Sequence, residues 1–161
     1  MPAAVEPLLR ALMPDDAAAA HAFVSAQLEA GRYRDRALEV LDSALGFEDP
    51  EFMALVALGQ DERMLLGLVL FGTVAGAHAV VKVHGVLAPA RKTAVALLGA
   101  VRHAAEHSGE RMIVCEIPDD APFAVAAEAL AASGFEEQGR VPDFVRDGVA
   151  LRLLVLPLFD G

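Results

Sequence analysis

From Met64 to Val81, the stretch MLLGLVLFGTVAGAHAVV carries no formally charged residue. A run of about 18 such residues just reaches the length of a membrane-spanning helix. Gly67, Gly72, Thr73, Gly76 and His78 interrupt this one. Its halves read instead as two short strands around a GTVAG turn, so no membrane partner is expected. Strands this apolar need cover on both faces, which calls for a sheet between helices.

The flanking segments extend the sheet. EFMALVAL before the run and AHAVVKVHGVL at its end also read as strands, with Gly59 to Glu62 and Thr73 to Gly76 as turns. Short connections make these three strands antiparallel. Upstream, VEPLLRAL from Val5 reads as a strand. Pro14-Asp15-Asp16 then opens a helix, with an aspartate as its cap, that runs to Gly31. A second helix starts at Asp35 and ends at Gly46. Its apolar face is Ala37, Leu38, Leu41, Ala44 and Leu45. Asp49-Pro50 marks the change to strands.

Downstream, VLAPARKTAVALLGAV leads into a helix that ends at Ser108-Gly109. RMIVCEIP is a strand. Asp119 or Asp120 caps a helix through AVAAEALAAS, closed by Gly134, and two strands follow around EEQGRV and VALRLLVL. The strand-helix-strand unit from Ala77 to Pro118 should be parallel and right-handed. The expected fold is α/β, a mixed sheet of about seven strands flanked by about four helices. The chain has 161 residues, 55% of them hydrophobic and 22% charged. That is enough for one domain over 1–161 with a sizeable core.

The formal net charge is -10. A chain this acidic repels nucleic acid and anionic membranes, and an anionic ligand needs a local basic spot such as Arg91-Lys92. Cys115 is the one cysteine, in an apolar strand, which excludes an internal disulfide and favours a buried thiol. No basic-then-apolar leader pattern opens the sequence, and a reduced cytoplasm is the expected setting.

His103-Ala-Ala-Glu106-His107 spells HxxEH, a zinc-protease pattern. The helix is expected to bury Ala94, Leu97, Val101, Ala104 and Ser108. That turns the two histidines and the glutamate to solvent, and no metal is expected. No GxSxG exists, and Arg91-Lys92-Thr93 lacks the glycines of a Walker loop. Lys82 and His84 stand two apart in a strand and share one face, opposite Val81 and Val83. Two basic groups on a central strand mark either a cleft or a half-exposed face. Tyr33, the one tyrosine, lies in GRYRDR between the first two helices and either lines a pocket or packs its ring.

Taken with the element order, these stretches resemble the GCN5-related N-acetyltransferase family over nearly the whole chain. The strongest local match is ASGFEEQGRVPDFVRDG from Ala132, with Gly134-Phe135 and Pro142-Asp143-Phe144-Val145-Arg146. The resemblance implies direct transfer of acetyl from acetyl-CoA to an amine of a small molecule or peptide. It places backbone at Val86 and Leu87 against the pantetheine and thioester. It places Arg91, Lys92, Thr93, Ala94, Val95 and Ala96 at the pyrophosphate, where the family's loop reads Arg/Gln-x-x-Gly-x-Gly/Ala. It puts Phe123 where many members have an asparagine or another polar or aromatic residue near the cofactor. The candidate bases are Glu116 and His84, with Tyr33 as a further catalytic candidate. Three positions depart from the pattern. Ala94 replaces a glycine, a penalty of about 1 kcal/mol if φ there must be positive. Leu130 stands where members often carry the tyrosine that protonates the thiolate, and Val145 replaces a second aromatic. These departures keep an alternative open: a non-catalytic relative that binds a ligand or dimerises. The apolar end LRLLVLPLF either pairs across a homodimer or closes the sheet.

Overall fold

A computed structural model describes residues 6–46 and 51–158. Val5, Asp49, Pro50 and Phe159 lie outside the described residues. The elements run β1 (Leu8–Ala11), α1 (Ala17–Gln27), α2 (Arg32–Leu45), β2 (Met53–Leu58), β3 (Leu65–Thr73), β4 (Val80–Leu87), α3 (Arg91–His107), β5 (Met112–Pro118), α4 (Ala124–Ala132), β6 (Glu136–Arg146) and β7 (Val149–Pro157). Short 3-10 turns at Pro14–Asp16 and Ala121–Phe123 lead into α1 and α4. The strands form one seven-stranded sheet in the order β1-β2-β3-β4-β5-β7-β6. Only β4 and β5 run parallel, linked through α3. The others pair antiparallel. β7 pairs on both sides, so the apolar C-terminal run closes the sheet and β6 is the edge.

Strand alternation sends residues to two cores. On β3, Val69 and Phe71 join the core that contains Leu97, Leu98 and Val101 of α3 and Leu130 of α4. Leu68 and Leu70 join the other, with Val24 of α1 and Val40 and Leu41 of α2. Fully burying each such leucine contributes about 1.5–3 kcal/mol. The uncharged run from Met64 is thus β3, a turn and the start of β4, covered on both faces. Among the described residues, no helix is long and apolar enough to cross a membrane.

Local differences from the sequence reading have identifiable causes. α1 ends at Gln27, not at Gly31, because Leu28 turns extended into the core. The guanidinium of Arg34 then donates to the carbonyls of Ser25 and Leu28, replacing helical bonds. α2 starts at Arg32 rather than Asp35. Asp16 does not cap α1. Its carboxylate accepts from Arg10 and from the Met13 N–H. Asp120 accepts from the Ala121 N–H at the start of its turn, whereas Asp119 pairs with Arg140. On α3, Ala105 is buried and Ala104 and Ser108 are exposed.

Candidate active site

β4 and β5 are paired over four residues, Val80 to Val83 against Met112 to Cys115. Beyond Val83 and Cys115 the strands part. The cause is visible in the pairing of β4 with β3. Phe71 faces Val83 and its neighbour Leu70 faces Gly85, so His84 is an extra residue, a bulge. A bulge bends and twists its strand. It also inverts side-chain parity: Val81, Val83 and then Val86 lie in one core, while Leu87 lies in the other.

The parting opens a cavity of ≈ 260 Å³. β4 contributes Lys82 to Leu87, and β5 contributes Cys115 to Pro118. One face of α2 contributes Tyr33, Arg36, Ala37 and Val40, at helical spacings of three and four. Phe123, Leu130 and Phe144 complete the wall from the other side of the chain. On its β3 side, β4 remains paired through Gly85, Val86 and Leu87. On its β5 side this backbone has no strand partner among the described residues. Backbone N–H and C=O groups in that position favour a ligand with amides of its own.

His84 carries the most distinctive chemistry. Its ring lies 5.5 Å from that of Phe52, and its Nε2 is buried with no hydrogen-bond partner. The ring's other nitrogen bonds the backbone of Glu51. That bond favours the protonated ring, as a carbonyl acceptor does, so it puts the N–H on Nδ1 and leaves Nε2 its lone pair. Burial, then the charges of Lys82 and Arg36, hold the imidazole below its ordinary 6.5 against this bond. The side chain is therefore a neutral base at pH 7.

Glu116 and Lys82 form an ion pair at 3.9 Å, with the carboxylate side chain half exposed. The edge of Tyr33 meets Phe123, with ring centroids 5.1 Å apart. Burial raises the Tyr33 phenol above 10; Arg146 opposes the rise and Asp120 adds to it. All three expected catalytic residues thus border one cavity. Cys115 also borders it, but its buried thiol is pushed up to about 12, which leaves no thiolate to react.

The expected cofactor segment divides in two. Val86, Leu87 and Phe123 line the cavity; residues 91–96 do not. Three residues, 88–90, lead from the end of β4 to the first turn of α3. No residue from 86 to 96 has a positive φ, and Ala94 is helical, so the expected penalty at Ala94 does not arise. Thr93 and Ala94 are buried against the core, Val95 and Ala96 are half-buried, and Arg91 and Lys92 are exposed. The Ala94 N–H already bonds the Ala90 carbonyl. The N–H groups of residues 91–93 precede the helical ladder, beside two cations at the positive end of the dipole.

The HxxEH residues point outward. His103, Glu106 and His107 are exposed, Arg102 takes the Glu106 carboxylate at 2.6 Å, and the two rings stack. Among the described residues, no three histidines, cysteines or carboxylates gather in a way that could hold a metal ion. Sequence reasoning missed Arg36 as a cavity residue. Its signal was the spacing 33, 36, 37 and 40, which becomes a single face only when the helix starts at Arg32. Nothing in the sequence marked the bulge at His84.

The sequence matches no protein-family model and no curated protein. Solved structures do match it. A GNAT-family acetyltransferase assignment from Desulfovibrio desulfuricans superposes with a TM-score of 0.80 at 20% identity, covering 95% of this chain and 99% of that one. An acetyltransferase structure from Salmonella typhimurium, solved with acetyl-CoA, superposes with a TM-score of 0.74 at 17% identity, covering 98% and 96%. The ribosomal-protein-S18-alanine N-acetyltransferase of Escherichia coli gives a TM-score of 0.72 at 12% identity, covering 96% of each chain. The chain therefore has the fold of the GCN5-related N-acetyltransferases, as the resemblance implied.

Proposed function

We propose that this chain is an N-acetyltransferase that moves acetyl from acetyl-CoA directly to an amine. The observation that carries the reading is the parting of β4 and β5 over a cavity that His84 borders. The unpaired backbone of Val86 and Leu87 would bond the amides of the pantetheine arm and polarise the thioester carbonyl. Arg91, Lys92 and the free N–H groups of the first turn of α3 would hold the pyrophosphate. The short connection between these two regions suits a ligand that is extended at one end and doubly charged at the other.

Most amines are protonated at pH 7, so the acceptor must lose a proton before it attacks. His84, neutral at pH 7 and bordering the cavity, is our first choice for that base. Glu116 is the second, a half-exposed carboxylate that borders the cavity beside Lys82. Tyr33, protonated throughout the neutral range, would return a proton to the departing thiolate. A positioned base is worth about 10²–10⁴ in rate. Release of CoA thiol in the presence of an amine tests the activity. His84→Gln should slow it by that range and leave acetyl-CoA binding intact.

Leu130 favours a second reading, a relative that binds without catalysis. Its side chain is fully buried and borders the cavity, at a position where an acid is often placed. Acetyl-CoA binding with no thiol release from any amine is the result that this reading expects.

A further inference from the structure

Resting on the acetyltransferase reading, we infer that the acceptor is an amine that carries its own carboxylate, as a free amino acid does, and that Arg36 and Lys82 hold that carboxylate at the cavity mouth. The chain as a whole is acidic, with 23 carboxylates against 13 lysines and arginines. Its cavity reverses that balance. The charged side chains that line it are Arg36, Lys82 and one carboxylate, Glu116.

These two cations are also loosely satisfied. Arg36 meets Glu39 at 3.4 Å on an open helix face, and Lys82 meets Glu116 at 3.9 Å, beyond hydrogen-bond reach. Four arginines outside the cavity are paired more tightly: Arg10 with Asp16 at 2.7 Å, Arg102 with Glu106 at 2.6 Å, Arg146 with Asp120 at 2.6 Å and Arg152 with Glu137 at 2.6 Å. An incoming carboxylate would meet a guanidinium and an ammonium whose present partners compete weakly. Both are close enough to His84 for their charges to act on its ring.

The same geometry disfavours a polyamine. A second ammonium would approach two fixed cations and one carboxylate already shared with Lys82, and like charges at close range oppose binding. The overall charge of the chain points to a cationic acceptor, but charges that line a site act at shorter range than those a Debye length away. Tyr33, Phe123 and Phe144 add an aromatic wall, which suits an amino acid with an apolar side chain.

The experiment compares CoA release from acetyl-CoA with each of the twenty free amino acids, their carboxamides and spermidine, with calorimetric titration of acetyl-CoA alongside. At least one free amino acid should exceed its amide and spermidine about tenfold or more in kcat/KM, the size of one charge-assisted hydrogen bond. Arg36→Gln should erase most of that preference by raising KM for the amino acid, with KM for acetyl-CoA unchanged. Arg36→Lys should restore part of it. A preference for amides or spermidine overturns the proposal. So does acetyl-CoA binding without turnover of any amino acid, or an Arg36→Gln effect that falls on acetyl-CoA. Absence of acetyl-CoA binding would instead remove the acetyltransferase reading on which the proposal rests.

Discussion

Val83 of β4 and Cys115 of β5 form the last rung of the sheet's one parallel ladder, and the cavity begins where that ladder stops. Both side chains are buried in the same core as α3, so the rung is held firmly. The bulge at His84 lies immediately beyond it. The wedge is therefore a built feature of the fold, with a packed rung at its closed end.

Gly85 tests the wedge by filling it. A Cβ at Gly85 would meet nothing within 4 Å, and its φ lies outside the left-handed region. Gly85→Leu should fold with stability changed by no more than about 0.5 kcal/mol. It should weaken acetyl-CoA binding about tenfold or more, read by calorimetry beside a thermal melt. Unchanged binding would mean that the ligand does not use this cavity.

His84 links pH to both activity and stability. Its folded pKa lies below 6.5, so kcat/KM should fall on the acid side with an apparent pKa below that value. Well above pH 6.5 the ring is neutral in the folded and unfolded chain alike. As the pH drops from there toward the folded value, the unfolded chain binds the proton first, so stability is lost across that window. His84→Gln should remove this part of the acid sensitivity in pH-dependent denaturant melts. If the acid limb of activity survives His84→Gln and disappears in Glu116→Gln, the base is Glu116.

Gly72 supports the same histidine from behind. The backbone of Glu51 passes so close to Gly72 that a Cβ there would lie inside its carbonyl group. Gly72→Ala must push that segment away, and His84 bonds the Glu51 backbone. The substitution should destabilise the fold by about 1–3 kcal/mol, the usual range for overpacking. It should also lower kcat more than it raises KM for acetyl-CoA. A variant with wild-type stability would show that the Glu51 segment yields freely.

Tyr33 separates proton donation from packing. Tyr33→Phe keeps the ring edge against Phe123 and removes the hydroxyl. Loss of kcat by about tenfold or more, with stability and acetyl-CoA affinity retained, is the outcome expected of a proton donor. An unchanged kcat assigns Tyr33 to packing alone.

Much of the fold was legible because its signals are local. The turns at Gly59 to Glu62 and Thr73 to Gly76 separate strands apolar on both faces, and the outward turn of His103 and His107 follows from α3's apolar stripe. The signals failed where alanine blurs periodicity. Ala104 and Ala105 are interchangeable by type, and only packing decides that Ala105 goes inside. The site was less legible because a bulge costs one residue and leaves no composition mark. The spacing of Lys82 and His84 put both on one face and left a cleft and a half-exposed face both open, and the parity inversion at Val86 and Leu87 depends on pairing with Leu70 and Phe71. Arg36 stayed hidden because the first turn of α2 has no strong cap and the helix starts before Asp35. The resemblance read Arg91 to Ala96 as a loop with Ala94 in place of a glycine, whereas the chain enters α3 at Arg91 and Ala94 is helical.

Calorimetric titration of the purified protein with acetyl-CoA, with free CoA and a buffer blank beside it, tests the central claim most directly. Saturable one-to-one binding with a Kd on the order of micromolar, about −8 kcal/mol, is the result this account expects. No heat and no thermal shift up to millimolar acetyl-CoA would contradict it.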